Sequence, residues 1–329
     1  MGKGEKMNKF WRDYPALLEE LNEVKDTIKQ NIKSRESILE ESILPMLENG
    51  GKMLRPAFLI LASKFGEYDS EKIHNLAAVV EMLHMATLIH DDIIDDAKTR
   101  RGCDTVQYKY GKDYAVYVGD FLFCQCINML AKYDYDMEDL KNISKAITKI
   151  CMGEITQYNL RYGKNLSLRN YIRIISGKTA ALFAISFYTG ANEAKCEEWI
   201  SKSLGKIGYY AGMAFQIIDD ILDFSGDSTK LGKSALRDLQ KGYYTLPLIY
   251  ALEKDKDHKL KELLSNENLS ETEINEILFL VNEYDGINKA KLVADRYTEK
   301  AIEKIEKLPD CETKEIIRNS ILKLLNRDY

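Results

Sequence analysis

Two acidic segments stand out because they lie inside otherwise apolar stretches. The first reads HDDIIDD at residues 90–96, and the second reads QIIDDILD at residues 216–223. Both contain the pattern D-D-x-x-D, whose carboxylates are Asp91, Asp92, Asp95, Asp219, Asp220 and Asp223. In an α-helix these positions fall at about 0°, 100° and 40° around the axis, so each triplet occupies one side of one turn. Because aspartate is unfavourable in mid-helix, a solvated acidic face explains the repeated pattern poorly, and we predict a functional role.

The chemistry open to such triplets is metal binding. Six carboxylates in one pocket would repel one another by on the order of a few kcal/mol, so they would need cations. Oxygen-only ligand sets select hard metal ions, and Mg²⁺ typically bridges carboxylates to substrate phosphates. The pattern therefore predicts a Mg²⁺ site for a di- or triphosphate. A glycosidase-type acid and base pair is less apt, because it uses two carboxylates rather than two triplets.

Basic residues suited to phosphate lie near both motifs. Lys52 and Arg55 flank a predicted helix start after two glycines, where backbone N–H groups favour anions. His84 precedes Asp91 by seven residues, which places both on one helical stripe about 10 Å apart. The other basic candidates are Arg100, Arg101, Lys178 and Lys233. Each alone would be an ordinary surface charge, and it is the set that predicts a diphosphate site.

The elements that position these residues are predicted to be helices. Apolar residues recur at three-to-four spacing nearly throughout, and no run alternates convincingly with period two. The helical stretches are 16–50, 54–65, 71–96, 114–132, 140–162, 168–188, 197–224 and 245–253. Only 5 Pro and 19 Gly occur in 329 residues, and no linker divides them. We therefore predict one all-α domain over residues 1–329, a large bundle with a central cavity and a loosely ordered N-terminus at 1–15.

The composition excludes several classes of protein. Lys and Arg number 47 against 52 Asp and Glu, without a long basic block, so a nucleic-acid partner is not expected. Apolar stretches fall short of the ~20 residues that cross a membrane. With no visible secretory signal, we expect a cytoplasmic protein without stable membrane insertion. The six cysteines show neither C-x-x-C nor zinc spacing and are expected to be reduced thiols.

Several motifs, taken in order, resemble those of the trans-isoprenyl diphosphate synthases. They read GGKMLRP at 50–56, EMLH at 81–84, DDIIDDAKTRRG at 91–102, GKTA at 177–180, FQIIDDILD at 215–223 and LGK through TLP at 231–247. The resemblance covers essentially the whole chain. It implies the all-α isoprenoid synthase fold and a prenyltransferase that condenses isopentenyl diphosphate head to tail onto an allylic diphosphate, with Mg²⁺ as cofactor.

The resemblance also implies roles for individual residues. The six aspartates would hold about three Mg²⁺ ions on the allylic diphosphate. The basic residues expected to bind that diphosphate are Arg100, Lys178 and Lys233. Those expected to bind isopentenyl diphosphate are Lys52, Arg55, His84 and Arg101. Thr179 and Gln216 would face the carbocation that develops on the allylic substrate.

Product length is expected to be set along the helix that carries the first motif. Members of the family with short products often have an aromatic residue four or five positions before the first aspartate, where this chain has Thr87 and Ala86. Leu83 and Val79 lie further down the helix. One turn rises 5.4 Å, close to one isoprene unit, so small residues here predict a product of roughly 30–40 carbons. If side chains of another helix close the end of the product cavity, the product would be the shorter farnesyl or geranylgeranyl diphosphate.

Three other functions fit the sequence less well. Two Glu-x-x-His pairs, starting at Glu71 and Glu81, suggest a di-iron bundle, but both lie in one predicted helix about 15 Å apart and cannot close on one centre. A terpene cyclase usually has one aspartate motif and a different second motif. A non-catalytic partner subunit would lose its aspartate motifs, whereas this chain keeps both.

The partners implied are chemical and macromolecular. Farnesyl or geranylgeranyl diphosphate is the expected allylic primer. A homodimer formed through long helices is the default expectation. The stretches EMLHMATLIHDDIIDDAKTRRG and TLPLIYAL are similar to the catalytic subunits of two-component members of the family. Those subunits need a small dissimilar partner, so a two-component enzyme stays open as an alternative.

Overall fold

The computed structural model describes residues 5–163, 166–225, 238–266 and 269–326. The chain divides into two compact units, Met1–Lys141 with Ser186–Lys202 and Asn142–Ile185 with Ser203–Tyr329. The described residues form helices and one two-stranded hairpin, so the predicted all-α class is confirmed. One domain over the whole length stays a prediction. None of the helices in the described ranges is long and apolar enough to cross a membrane.

The first unit is built around α5, which carries the first aspartate motif. Its helices are α1 (Glu5–Trp11), α2 (Pro15–Ile32), α3 (Ser37–Glu48), α4 (Leu54–Ser63), α5 (Ser70–Ile94), α6 (Val106–Tyr110) and α7 (Lys112–Leu130). A hairpin of β1 (Thr99–Arg100) and β2 (Cys103–Asp104) follows α5. The side chain of Asp69 caps the start of α5 by accepting a hydrogen bond from the N–H of Lys72. Fifteen of the 25 residues of α5 are buried, including every residue from Ile73 to Leu83, because apolar residues occur on all sides of this part of the helix.

The second unit is built around α11, which carries the second aspartate motif. Three helices contain residues of both units: α8 (Met137–Asn159), α10 (Ala181–Glu193) and α11 (Glu198–Ser225). The others are α9 (Leu168–Ile175), α12 (Leu246–Lys254), α13 (Lys259–Leu263), α14 (Glu271–Glu283), α15 (Gly286–Glu306) and α16 (Glu312–Leu325). Leu248, Ile277 and Val281 are among the buried residues of a core that α12 and α14 share.

One helical turn of the second unit departs from the regular pattern. Residues 176–180, the GKTA segment and the serine before it, form a π-helical turn between α9 and α10. The sequence predicts an uninterrupted helix over 168–188, and this part of the prediction is wrong. Gly177 sits so close to α8 that a Cβ there would lie 2.5 Å from the carbonyl oxygen of Lys149. Turns of this kind are frequent at functional sites, since they re-aim side chains.

The N-terminal half differs from expectation in two further places. The predicted helix 16–50 is divided into α2 and α3, because Ser34 and Glu40 side chains accept hydrogen bonds from the backbone N–H groups of the break. Residues 1–15 are not loose over their described part. Trp11 in α1 is fully buried, and its indole N–H donates to the carbonyl of Lys52 at 2.6 Å. Burial of a large aromatic side chain explains why this helix is held in place.

Candidate active site

The first aspartate motif lies at the C-terminal end of α5. Asp91 and Asp92 occupy the last turn, and Asp95 is the C-cap, whose N–H donates to the carbonyl of Asp91. Asp91 and Asp95 are partly exposed, whereas Asp92 is only 3 % exposed. Positions i and i+4 therefore present two carboxylates on one side of the turn, while the carboxylate at i+1 turns into the protein.

A salt bridge with Arg100 holds the buried carboxylate of Asp92. The Nε of Arg100 lies 2.9 Å from Oδ1 and 3.1 Å from Oδ2, and its Nη2 lies 2.8 Å from Oδ1. Charge-assisted contacts at several atoms fix the geometry of both groups. The expected contact of Arg100 with the allylic diphosphate stays a prediction, and the salt bridge gives this arginine a second role that the sequence did not suggest.

A tight hairpin explains why two neighbouring arginines reach different targets. Arg100 belongs to β1, and the loop residues Arg101 and Gly102 have φ angles of 53° and 82°. Both values are positive, as a two-residue type I′ turn requires. The guanidinium of Arg101 lies against Gly51, where an added Cβ would be 3.0 Å from Nη2. The sequence R-R-G thus directs Arg100 to Asp92 and Arg101 to the loop before α4.

A cleft in the first unit, with a cavity volume of about 50 Å³, brings several predicted site residues together. Its lining includes Glu81, His84, Asp92, Arg100 and Arg101. Burial lowers the pKa of His84 well below its ordinary value, and the charges of Arg55 and Arg101 lower it further. The imidazole is therefore neutral and offers one N–H donor and one acceptor to a bound ligand.

Glu81 lines this cavity but was not among the predicted site residues, although it begins both the EMLH motif and one of the Glu-x-x-His pairs. It is 8 % exposed. Burial raises its pKa, and the charges of Arg55 and Arg101 oppose that rise. Burial likewise lowers the pKa of Arg55 to about 10, and Glu81 opposes that fall. Glu81 therefore balances the two arginines, and its signal was its position one helical turn before His84.

Lys52 takes its place from the N-terminal helix. Its carbonyl accepts the indole N–H of Trp11, and its Nζ lies 4.7 Å from the centre of the Phe10 ring. A cation over an aromatic face at this distance is a favourable contact. The loop Gly50–Lys52 is therefore held from two sides, by α1 at Lys52 and by Arg101 at Gly51.

The second aspartate motif lies near the C-terminal end of α11 and repeats the division seen in the first. Asp219 and Asp223 are partly exposed, whereas Asp220 is 7 % exposed. Tyr171 of α9 donates its hydroxyl to Oδ2 of Asp220 at 2.6 Å, and the Nε2 of Gln216 donates to Oδ1 at 2.9 Å. Burial raises the pKa of Asp220 to about 8, although these two hydrogen bonds lower it.

The π-helical turn supplies two more predicted site residues. Thr179 donates its hydroxyl to Oε1 of Gln216 at 2.6 Å, which joins it to the network of the second motif. Lys178 lies with its Nζ 2.9 Å from Oε1 of Glu154 and 3.2 Å from Oε1 of Gln157, both on α8. The sequence reading missed Tyr171, Glu154 and Gln157, because their contacts join residues far apart in the chain.

The remaining predicted residues are placed as follows. Val79, Leu83 and Ala86 are buried on α5, and Thr87 is partly buried with its hydroxyl donating to the carbonyl of His84 at 2.8 Å. Lys233 lies outside the described residues. The aspartate motifs belong to different units, Asp91 to the first and Asp219 to the second, so their meeting around one ligand stays a prediction.

Comparisons with known proteins cover nearly the full length. Residues 36–281 match the family model for polyprenyl synthetases. The chain is 38% identical to heptaprenyl diphosphate synthase component 2 of Geobacillus stearothermophilus, over 96% of this chain and 98% of the relative. The chain belongs to the polyprenyl synthetase family. It is therefore a prenyltransferase, and the family, fold class and enzyme class predicted from the sequence are confirmed.

Solved structures of polyprenyl synthetases agree with this assignment. A geranylgeranyl pyrophosphate synthase of Lactobacillus brevis aligns with a TM-score of 0.92 at 35% identity, over 96% of this chain and 99% of that chain. A heptaprenyl diphosphate synthase of Staphylococcus aureus aligns with a TM-score of 0.89 at 35% identity, over 95% of this chain and 99% of that chain. Proteins with similar folds are thus named for products of different lengths.

The donor groups suit the Mg²⁺ on which polyprenyl synthetases generally depend. Each motif offers two partly exposed carboxylates, and oxygen-only donors suit this ion. Within the described ranges, no three His, Cys, Asp or Glu side chains already converge on one point. The predicted metal ligands are partly exposed at Asp91, Asp95, Asp219 and Asp223, while Asp92 and Asp220, which stay predicted ligands, also accept hydrogen bonds from protein groups. The first four fit the ion by their chemistry and position on the helices.

Proposed function

We propose that this chain is a trans-polyprenyl diphosphate synthase that condenses isopentenyl diphosphate head to tail onto an allylic diphosphate such as farnesyl or geranylgeranyl diphosphate. The observation that carries the proposal is the matched construction of the two D-D-x-x-D motifs. In each, two carboxylates four residues apart are partly exposed and the one between them is anchored by protein donors. Paired acidic sites of this kind suit a substrate diphosphate held through divalent cations.

The residues around the allylic diphosphate bind and orient it. The six aspartates would hold about three Mg²⁺ ions, which would supply positive charge to neutralise the leaving diphosphate and polarise the allylic C–O bond. Arg100, Lys178 and Lys233 complete the diphosphate site. Lys178 pairs with Glu154 and would exchange that carboxylate for a phosphate oxygen when substrate binds. This exchange keeps the ammonium group paired throughout the cycle.

Isopentenyl diphosphate binds to the basic residues of the first unit. The expected ligands are Lys52, Arg55, His84 and Arg101. Burial among arginines keeps His84 neutral, so that it contributes an N–H donor rather than a charge. Glu81 lies among the charges of Arg55 and Arg101 and limits the repulsion between these two guanidinium groups.

The carbocation is met by oxygen atoms of the second unit. Thr179 donates its only hydroxyl proton to Gln216, so the lone pairs of its oxygen stay available to positive charge on the substrate. The homoallylic double bond then attacks the cation, and the departing diphosphate takes the proton that is lost. Apolar residues such as Ile217, Ile218 and Ile221 surround the acidic groups and help exclude water, which would otherwise quench the cation.

The product is proposed to be of medium to long chain length, heptaprenyl-like. The relative from Geobacillus stearothermophilus is named a heptaprenyl diphosphate synthase component, which supports this length. With one turn per isoprene unit, Ala86→Tyr should shorten the product from roughly 30–40 carbons to about 15–20. Chromatography of dephosphorylated products measures the change. An unaltered distribution of product lengths would show that residues elsewhere set the length. A shorter product of the native chain is the second candidate, because the Lactobacillus brevis structure is named a geranylgeranyl synthase.

The test of the activity is a direct assay on purified protein. The chain is incubated with Mg²⁺, farnesyl diphosphate and labelled isopentenyl diphosphate, with EDTA as the metal-free control. Labelled polyprenyl products that disappear with EDTA support the proposal. Elongation by this chain alone supports a homodimer. Turnover only after addition of a small second subunit supports the two-component alternative, which the name "component 2" of the relative also favours. No elongation under either condition would refute the proposed function. A cytoplasmic location remains part of the proposal.

A further inference from the structure

We propose that Tyr171 is a positioning residue for the second aspartate motif. Its hydroxyl fixes the carboxylate of Asp220 and, through Gln216, the hydroxyl of Thr179. The end of the site that binds diphosphate and the part that faces the carbocation would thereby keep one common geometry. This inference rests on the proposed function and assigns a role to a residue outside the motifs.

The contacts form one continuous network of hydrogen bonds. The hydroxyl of Tyr171 donates to Oδ2 of Asp220 at 2.6 Å, and the Nε2 of Gln216 donates to Oδ1 at 2.9 Å. The Oε1 of the same Gln216 accepts the hydroxyl of Thr179 at 2.6 Å. Because Gln216 uses both its amide oxygen and its amide nitrogen, only one orientation of the amide allows both hydrogen bonds. Tyr171 is 4 % exposed and Thr179 6 %, so water competes little for these bonds.

This hydrogen-bond network joins three separate elements of the fold. Tyr171 lies on α9, Thr179 on the π-helical turn, and Gln216 and Asp220 on α11. Gly212 lets α11 approach the turn, since a Cβ there would lie only 2.7 Å from the Cα of Ala180. The phenol is the single member contributed by α9. Removing its hydroxyl therefore releases α11 from α9 at this point, without changing any residue of the two motifs.

The link from Asp220 to its neighbours runs through the backbone. Asp219 and Asp223 share one helical turn with Asp220, so a restraint on Asp220 also restrains the rotation of the turn that presents them. A metal site needs its ligands within a few tenths of an ångström and is supported by hydrogen bonds one layer out. Loss of the Tyr171 hydroxyl should weaken metal–diphosphate binding about ten- to one-hundredfold, the range for outer-layer hydrogen bonds to metal ligands.

The experiment compares the full-length wild-type chain with Tyr171→Phe and with a matched control, Tyr135→Phe. The phenol of Tyr135 is 6 % exposed, donates to the carbonyl of Lys72 at 3.2 Å and accepts from Asn75 at 2.9 Å. Both variants keep the aromatic ring and lose one buried hydroxyl. Binding of Mn²⁺ with inorganic pyrophosphate is followed by electron paramagnetic resonance and calorimetry. Melting temperature, kcat and the two KM values are measured in parallel.

The expected result separates positioning from simple stability. Tyr171→Phe should bind Mn²⁺ and pyrophosphate about ten- to one-hundredfold more weakly and lower kcat, with the KM for isopentenyl diphosphate unchanged. Tyr135→Phe should lower the melting temperature to a similar extent while leaving Mn²⁺ binding as in the wild type. Equal Mn²⁺ affinity in wild type and Tyr171→Phe would overturn the inference, even if Tyr171→Phe melts earlier. An equal loss in both variants would also overturn it.

Failure of the proposed function would look different. A wild-type chain that binds Mn²⁺ and pyrophosphate but forms no polyprenyl product contradicts the prenyl elongation alone. In that case the difference in affinity between wild type and Tyr171→Phe still decides the role of Tyr171. A wild-type chain that binds no Mn²⁺ with pyrophosphate overturns both.

Discussion

The two aspartate motifs have the same sequence pattern but different protein partners. In the first, the buried Asp92 is held by the guanidinium of Arg100 through three contacts of 2.8–3.1 Å. In the second, the buried Asp220 is held by the phenol of Tyr171 and the amide of Gln216, which carry no charge. The buried carboxylate of Asp92 therefore has a countercharge beside it, whereas the buried carboxylate of Asp220 accepts hydrogen bonds from neutral donors. Matching sequence patterns can thus be built into unlike electrostatic surroundings.

This difference has a physical consequence for each side chain. A carboxylate beside a guanidinium is stabilised as an anion, whereas neutral donors only partly replace the water lost on burial. Burial accordingly raises the pKa of Asp220 to about 8, against the opposing effect of its two hydrogen bonds. Four predictions, ordered from the largest expected effect to the smallest, test whether the division between anchored and exposed aspartates, and between charged and neutral anchors, holds.

Replacing an exposed aspartate should have the largest effect on activity. Asp219→Asn keeps the size of the side chain and removes the charge that would hold the metal. We expect kcat to fall by about 10²–10³-fold, the range found when one charge-stabilising group is removed, with little change in stability. Steady-state kinetics and thermal melting measure the two effects, with Glu303→Gln on the surface of α15 as the control. An Asp219→Asn enzyme with native kcat would break the division between exposed and anchored aspartates.

Removing the charged anchor should destabilise the fold. Arg100→Leu leaves the buried carboxylate of Asp92 without its cation. Breaking a fully buried pair costs about 3–5 kcal/mol, and since Arg100 is 33% exposed, we expect about 2–3 kcal/mol here. Tyr171→Phe should cost less, about 1 kcal/mol, because only a neutral donor is lost. Urea unfolding measures both free energies, and equal losses would argue against the contrast between charged and neutral anchors.

A carboxylate away from both motifs offers a test of the neutral kind of anchor. Asp139 is fully buried and accepts a hydrogen bond from Nδ2 of Asn192 at 3.0 Å. Burial raises its pKa to about 7 from 3.8, so the folded protein binds a proton that the unfolded chain has lost between these values. Stability should therefore fall as pH rises from about 4 to 7, by on the order of a few kcal/mol.

Asp139→Asn should remove this pH-dependent part of the unfolding free energy. The variant is expected to be more stable than the wild type above pH 7 and to show a flatter dependence of the unfolding free energy between pH 4 and 7. Urea unfolding at a series of pH values measures this, with Glu299→Gln, an exposed carboxylate on α15, as the control. Parallel pH profiles for Asp139→Asn and the wild type would show that a neutral donor is enough to keep a buried carboxylate at its ordinary pKa.

The smallest effect should distinguish how the two motif helices are packed. Beside the first motif, a Cβ on Gly119 of α7 would lie 2.3 Å from Nε2 of His90, a side chain that can turn aside. Beside the second, a Cβ on Gly212 would lie 2.7 Å from the backbone Cα of Ala180, which cannot. Gly212→Ala should therefore be less stable than Gly119→Ala by about 1 kcal/mol. Differential melting of the two variants decides this, and the reverse order would contradict it.

The motifs were predictable from the sequence, but their internal division was not. Spacing within D-D-x-x-D places three carboxylates around one turn, yet it does not say which of them faces the protein. That depends on Arg100 for Asp92 and on Tyr171 for Asp220. The first partner is local and lies in a quoted motif, whereas the second is 49 residues away and becomes visible only when α9 meets α11.

Two other features escaped the sequence for related reasons. Residues 168–188 carry continuous helical periodicity, so the π-helical turn at 176–180 is set by the close contact of Gly177 with Lys149 on another helix. The hairpin after α5 is too short for period-two alternation to register, although R-R-G supplied the glycine that its loop requires. Local patterns thus predicted the elements, and tertiary contacts determined where they bend.

Two side chains of α1, Phe10 and Trp11, support a loop that lies inside the region matched by the family model. They precede the matched region 36–281, yet Trp11 anchors the carbonyl of Lys52 and the Phe10 ring supports its ammonium group. Trimming or tagging this end for crystallisation would then disturb the presentation of a lysine expected to recognise substrate. For this chain, α1 should therefore be kept whenever binding of isopentenyl diphosphate is to be measured.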